Sequence, residues 1–383
     1  IEGPQYDFVL RTHSLDVVWT RPERAVGAWE LDGSMGFQSA YQENVYTGYT
    51  LIPNFRSLGG GVFLAQRLHG ERIDFDLGLR YDALARTTFL DEREAARHDS
   101  LPCKNQGTLQ RCDALYGGLS ASFGALIHLV PEHLDGRIEV AKSTRNPSID
   151  ELFLAGAAPT LPLYTQGNPN LGQEDTWSLS SSVGLRSTWV EGELAAYANH
   201  TQGYITQDQR LKTDGEPAYK VTTRGAWPIV DSAAQDVNMV GGEGGVGLNP
   251  QGVVGLRLMG SMVRAQGSDG SGVVGIPADR LRAEAFLRPR PLPWAQSPEL
   301  GVSLLAMNQA RGAGDRDVAP PPEGTMLLGA SLTSTLVINR RELRVGVQAN
   351  NLLNARYRDY TSLLRPYADQ PGRDVRLHLS TNF

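Results

Sequence analysis

The chain closes on Val375-Arg376-Leu377-His378-Leu379-Ser380-Thr381-Asn382-Phe383. Side chains alternate faces along a strand, so Val375, Leu377, Leu379 and Phe383 share one side and Arg376, His378, Ser380 and Asn382 the other. One side is apolar and the other is wet. The same pattern recurs upstream. Ile73, Phe75, Leu77, Leu79 and Tyr81 oppose Arg72, Asp74, Asp76, Arg80 and Asp82; Leu343, Val345, Val347 and Ala349 oppose Glu342, Arg344, Gln348 and Asn350. A chain written this way meets an apolar medium with strands.

Composition agrees. The 383 residues are 40% hydrophobic with mean hydropathy −0.30, and no window approaches the roughly 20 apolar residues of a spanning helix. A barrel keeps such averages because only alternate residues face lipid. The 42 glycines and 22 prolines argue against a helical bundle. Net charge −6 with dispersed basic residues gives no reason to expect a nucleic-acid partner. Ile1-Glu2-Gly3-Pro4 lacks the features of a signal peptide, so for an exported protein the start is expected to be processed or missing. Cys103 and Cys112 would be unrelated thiols in a cytosolic protein; in an exported one they are expected to pin a small loop as a disulfide. No CxxC or histidine spacing supports a metal site.

Period-two alternation divides the chain into about fifteen strands, near 5–20, 25–40, 57–68, 72–89, 114–129, 136–145, 175–189, 193–207, 236–248, 252–266, 279–288, 299–309, 325–338, 342–351 and 373–383. A change of phase after Leu10 suggests a bulge near His13. Short connections are expected at Arg21-Pro22-Glu23, His69-Gly70, Pro131-Glu132, Glu191-Gly192, Asn249-Pro250-Gln251 and Asn339-Arg340, with a longer turn from Pro289 to Pro298. They alternate with long ones near 41–56, 90–113, 146–174, 208–235, 267–278, 310–324 and 352–372. Outer-membrane up-and-down barrels sort their loops in this way. Trp177 and Trp189, placed on one strand face, span roughly 28 Å at about 3.3 Å per residue and a tilt of about 45°, one indole per membrane interface. An odd strand count does not close an antiparallel cylinder, so the barrel is expected to be truncated at its start.

Two segments are more specific. The first is Ala141-Lys142-Ser143-Thr144-Arg145-Asn146-Pro147-Ser148-Ile149-Asp150-Glu151-Leu152-Phe153, followed by Gly167-Asn168-Pro169-Asn170-Leu171 and Glu174. The second is Asn350-Asn351-Leu352-Leu353-Asn354, Tyr357-Arg358 and Pro371-Gly372-Arg373, running into the last strand. With Gly78-Leu79-Arg80-Tyr81-Asp82 they resemble the barrel domain of TonB-dependent outer-membrane receptors, from about residue 40 to the end. The resemblance implies an all-β transmembrane antiparallel barrel of 22 strands. Residues 1–383 would form a partial barrel domain, its C-terminal 14–15 strands, without the N-terminal plug and first strands. It implies a receptor in the outer membrane of a Gram-negative bacterium, contacting lipid, taking up a scarce ligand such as a ferric siderophore, haem, cobalamin or a metal, and driven by the TonB complex through the plug. The motifs themselves read as structural: Pro147 closes a strand, and Gly167-Asn168-Pro169 and Asn350–Asn354 make turns.

Long loops are the default ligand surface. Tyr164, Tyr204, Tyr219 and Trp227 could stack on a planar ligand, and Arg210, Lys212, Lys220 and Arg224 would suit an anionic metal chelate; the plainer reading is girdle aromatics and solvated charges. Gly241-Gly242-Glu243-Gly244-Gly245 lacks the Gly-Lys-Ser/Thr of a phosphate loop. No cofactor is implied. A passive porin is the alternative function. An outer-membrane hydrolase is the third, but His378 and Ser380 have no third member, so no catalytic residue is assigned and no enzyme is expected.

Overall fold

A computed structural model describes residues 7–47, 50–98, 100–157, 161–222, 225–338 and 341–381. Among them, fifteen strands are long: β1 (Phe8–Val26), β2 (Trp29–Tyr46), β3 (Asn54–His69), β4 (Ile73–Leu90), β6 (Leu109–Val130), β7 (Leu134–Arg145), β10 (Glu174–Arg186), β11 (Val190–Gln209), β13 (Gly225–Leu248), β14 (Val254–Gly267), β15 (Arg280–Leu287), β16 (Ala295–Met307), β17 (Thr325–Ile338), β18 (Arg341–Asn350) and β19 (Asp374–Thr381). Short strands sit in the long connections: β5 (Lys104–Gln106), β8 (Ala155–Ala157), β9 (Tyr164–Gln166) and β12 (Tyr219–Thr222), with helices α1 (Glu92–Ala95) and α2 (Ile149–Phe153). Each long strand pairs antiparallel with the next long strand, through fourteen ladders. The fold is an antiparallel transmembrane β-barrel wall. All fifteen expected strands are present in order. Because the ladders alternate direction, β1 and β19 run the same way, and no ladder joins them among the described residues.

The connections sort by end. Residues 27–28, 70–72, 131–133, 187–189, 249–253 and 288–294 turn at one end; the Asn339-Arg340 turn lies outside the described residues. Gly27, at φ +65°, supplies the left-handed residue of the first turn. The long connections crowd the other end. Strand length follows: β13 has 24 residues and β6 has 22. At about 3.3 Å per residue and a tilt of about 45°, such strands rise more than 50 Å, well past a hydrocarbon layer of roughly 30 Å.

Four expectations are corrected. Arg21-Pro22-Glu23 is not a turn: it lies inside β1, where the register skips between Arg21 and Arg24. Proline is tolerated there because the register skip falls at Pro22, where the ladder to β2 asks for no amide donor. The bulge is therefore here and not near His13, which pairs regularly with Tyr41. The phase change has another cause: toward the long-loop end Phe8 packs its ring on Tyr46, centroids 5.2 Å apart. Glu191-Gly192 begins β11 and pairs in register with β10. The real turn is 187–189, so Trp189 is a turn residue and does not share the strand of Trp177.

The two faces differ as the alternation requires. Leu77, Leu79 and Tyr81 are about half exposed on the outer face, and Leu377 is 65% exposed. The inner face carries paired charges: Arg67 with Asp76 at 2.5 Å and Arg80 with Asp82 at 2.6 Å. Lumen-facing ion pairs hydrate the interior and contribute little stability. Gly241, Gly242, Gly244 and Gly245 lie inside β13, in continuous register with β11 and β14.

Candidate functional site

The long-loop end is built on a small core. β7 ends at Arg145, and Pro147 prevents its continuation. Ser148 then caps α2: its hydroxyl accepts from the Glu151 amide at 3.4 Å, and the Glu151 carboxylate accepts from the Ser148 amide at 2.8 Å. α2 drops Leu152 and Phe153 into a buried cluster with Leu90, Cys112, Leu171 and Ile205. Arg145 ties the elements together. It donates two bonds to Glu174, at 2.6 and 2.7 Å, and two to Glu151, both at 3.0 Å. Glu174 also accepts from the Ile205 amide at 2.6 Å. Burial pushes the Glu151 carboxyl up, but Arg145 and Ser148 outweigh it and hold the group below the usual carboxylate range. The sequence presented Arg145, Glu151 and Glu174 as motif letters; their union needs β7, α2 and β10 to be assembled. Cys103 and Cys112 are joined as a disulfide, fastening the β5–β6 hairpin beside this core.

Above the core an arm rises from β11 and β13. β12 pairs with the start of β13, placing Lys220 opposite Trp227 and Tyr219 opposite Pro228. β9 joins the same sheet in parallel, with Tyr164 level with Ile229. Tyr164, Lys220 and Trp227 therefore share one face, and the Lys220 ammonium lies 5.6 Å from the Tyr164 ring centroid. The Trp227 indole N–H is buried and has no acceptor among the described residues. Tyr219, on the other face, is 53% exposed. It neighbours Tyr367, whose hydroxyl donates to the Pro162 carbonyl at 3.0 Å and whose acidity is weakened first by burial and then by Tyr219. Tyr367 was not singled out from the sequence, because nothing in its local pattern links it to residue 219.

The other expected site residues are dispersed. Arg210 is held by Asp231 through two bonds of 2.6 and 2.7 Å, which neutralises its charge. Lys212 lies in the exposed tip turn, its amide donating to the Glu216 carbonyl at 2.8 Å. Tyr204 lies opposite Gln235 in the β11–β13 ladder and is half-buried, a scaffold position. Arg224 lies outside the described residues.

Two locks fix the remaining loops. Arg316 reaches Asp208, the Gln235 carbonyl oxygen at 2.7 Å and the Ser271 hydroxyl at 2.6 Å. Asp317 is buried between the Arg365 guanidinium and the Tyr360 hydroxyl, which donates to it at 2.6 Å; the guanidinium carbon stands 4.3 Å from the Tyr360 ring centroid. Burial, then the bond to Asp317, pushes the Tyr360 hydroxyl up to about 12. Farther down, toward the short turns, the inner face of the wall lines an open recess of 1160 Å³, bordered by Arg137, Ser182, Glu193, Glu243, Arg257 and Arg282.

The mouth thus offers two aromatic side chains and a lysine on one face of a braced arm, with no nucleophile–base pair in the set described above. Residues 5–371 match the family model described as TonB dependent receptor-like, beta-barrel. Comparison with curated protein sequences returned no match. Among solved structures, the copper transporter OprC superposes with TM-score 0.72 at 14% identity, over 98% of this chain and 58% of that one. The FrpB iron transporter from Neisseria meningitidis (F3-3 variant) gives 0.68 at 12%, over 98% and 55%. The unliganded ferric citrate transporter FecA gives 0.67 at 12%, over 100% and 56%. At these identities the likeness is one of fold, and the chain spans a little over half the length of each.

Proposed function

Because the chain belongs to the TonB-dependent receptor-like β-barrel family, we propose that it is the wall of an outer-membrane receptor-transporter whose long-loop mouth captures a scarce metal chelate. In the whole protein a plug would fill the lumen, inside a wall of 22 strands, and TonB would pull on it to admit the cargo. The observation that carries the ligand class is the shared face of Tyr164, Lys220 and Trp227. Aromatic faces and an ammonium suit a chelate with flat, anionic groups. With Arg210 neutralised by Asp231 and Arg224 outside the described residues, Lys220 and Lys212 are the described cations of the expected set that argue for an anionic ligand. The fold and family are those of transporters, and no catalytic step is proposed.

The test is a ligand panel. The protein as its gene encodes it, extracted in detergent, is titrated with ferric siderophores, ferric citrate, haem and cobalamin, following tryptophan fluorescence. One ligand is expected to bind saturably. Lys220→Ala should weaken it about tenfold, the value of roughly 1.4 kcal/mol for a partly exposed cation contact, and Trp227→Phe should remove most of the quenching. If no ligand binds while liposomes carrying the protein pass small sugars freely, the passive porin replaces this reading.

A further inference from the structure

The outer face of β13–β16 carries two features that the mouth does not use. β15 begins at Arg280, opposite Ser261, whereas β14 continues to Gly267. Beyond Ser261 only an isolated bridge, Gln266 with Gly272, lies on that side of β14. The wall therefore has a notch above β15, a cavity of 590 Å³ lined by Asn238, Arg264, Gln266, Asp279, Asn308 and Arg311. Val240, 51% exposed on the outer face, lines it too, so the notch opens outward. Four neighbouring runs of outer-face side chains change from apolar to polar at this notch. β13 reads Leu248, Val246, Val240, then Asn238; β14 reads Leu256, Leu258, Met262, then Arg264. β15 reads Leu287 and Leu281, with Asp279 next; β16 reads Leu300, Val302 and Leu304, with Asn308 beyond it. Such a change marks the level where hydrocarbon gives way to headgroups.

Two guanidiniums and one carboxylate stand at that level. Arg264 is fixed by Asp279 through bonds of 2.5 and 2.7 Å. The Asp279 carboxyl is held below the usual carboxylate range, first by its bond from Arg264, against burial, and with a smaller contribution from Arg311. Arg311 is exposed, and its charge is the one that Asp279 does not cancel. The side-chain amides of Asn308 and Asn238 line the same cavity as further donors. Below it, on the same four strands, lies an apolar groove of 260 Å³. Ala283 and Ala285 of β15 line it between Leu256 and Leu258 on one side and Val302 and Leu304 on the other. Small side chains between rows of larger ones make a trough. From Ala283 to Asp279 is about 13 Å along the chain at about 3.3 Å per residue. A cationic notch set above an apolar trough suits an amphiphile, and a guanidinium can meet a phosphate with two parallel bonds.

We propose that this flank of the wall holds one phosphorylated lipid of the surrounding leaflet. Its phosphate sits against Arg311, Asn308 and Asn238, and one acyl chain lies along Ala283 and Ala285. Asp279 is a positioning residue that keeps Arg264 at the edge of the notch. The site faces away from the lumen and shares no residue with the mouth, so its failure leaves the receptor reading intact.

The protein as its gene encodes it, extracted and delipidated in detergent, is measured by native mass spectrometry with three probes. They are a diphosphorylated acylated disaccharide (lipid A), the same glycolipid after phosphatase treatment, and inorganic phosphate. One lipid A per chain should be retained, about tenfold more strongly than its phosphate-free form. Arg311→Ala should remove that difference and leave the phosphate-free form unchanged. Ala285→Phe, which fills the trough, should weaken both lipids. The heat-modifiable band on gels certifies each variant as folded; if Arg311→Ala loses it, Arg311→Gln decides in its place. Equal retention of the two lipids by the wild type, or undiminished lipid A on the folded Arg311 variant, overturns the proposal. Displacement of lipid A by inorganic phosphate, with no effect of Ala285→Phe, would mark a site for free phosphate and overturn the lipid assignment.

Discussion

At the scale of single residues, the mouth is held by a few buried charges whose partners come from distant loops. Asp317 and Arg365 are 48 positions apart and both nearly inaccessible. Removing Arg365 alone would leave an unpaired buried carboxylate, a cost of about 3–5 kcal/mol. The third member, Tyr360, makes the lock sensitive to alkali. Its folded-state hydroxyl titrates near 12, above an unfolded value of about 10. A group raised in this way contributes stability that is complete below about pH 10 and is lost as pH rises through 12. Residues 308–324 and 351–373 should therefore resist proteolysis at pH 9 and become cleavable near pH 12. In an ultraviolet tyrosinate titration, Tyr360→Phe should remove the last phenol to ionise. A wild-type titration complete by pH 11 would contradict this. None of it was legible in the sequence, because an aspartate in a polar loop looks the same whether or not an arginine comes to cover it.

At the scale of elements, the strands were legible because each had to alternate against two different media, and alternation needs no partner to be seen. The fifteen long strands were found for that reason. The errors fell where alternation misleads. In β1 a proline at a register skip looked like a turn, and after β10 the apolar rhythm carried on through residues 187–189 to Trp189. The loop elements β5, β8, β9, β12, α1 and α2 went unseen, since segments of three to five residues are fixed by tertiary contacts and leave no periodic trace. The β5–β6 hairpin relies on Cys103–Cys112, a closure with sequence separation 9. In the chain-entropy account such a loop contributes about 2.5–3 kcal/mol. That contribution should be local. The double change Cys103→Ser with Cys112→Ser should expose Lys104 and Arg111 to trypsin while leaving the strand fragments intact, and reduction of the wild type should do the same. Identical trypsin patterns with and without reductant would mean that the hairpin is held by the Leu90–Phe153 core instead.

At the scale of the whole molecule, one sheet separates an apolar exterior from a charged interior, and every reading above depends on which side is which. The register makes the claim sharp, because neighbours in sequence face opposite media. Leu179 and Ser180 sit together in β10. Leu179 is 48% exposed on the outer face, opposite Ala198 of β11 and Val140 of β7. Ser180 faces inward between Tyr197 and Glu139. Leu179→Arg would place a guanidinium in the hydrocarbon, at about 2–4 kcal/mol near mid-depth. Ser180→Arg would place it in the lumen beside the Glu139 carboxylate, where an ion pair is worth at most about 1 kcal/mol. Heat-modifiable protein in the outer-membrane fraction should fall sharply for Leu179→Arg and stay near wild type for Ser180→Arg. A soluble sheet with its apolar face turned to a closed core would also reject Leu179→Arg, but its folded protein would appear in the soluble fraction. The reverse order, with Ser180→Arg lost and Leu179→Arg tolerated, would turn the wall inside out. The recess and the mouth would then no longer share a lumen.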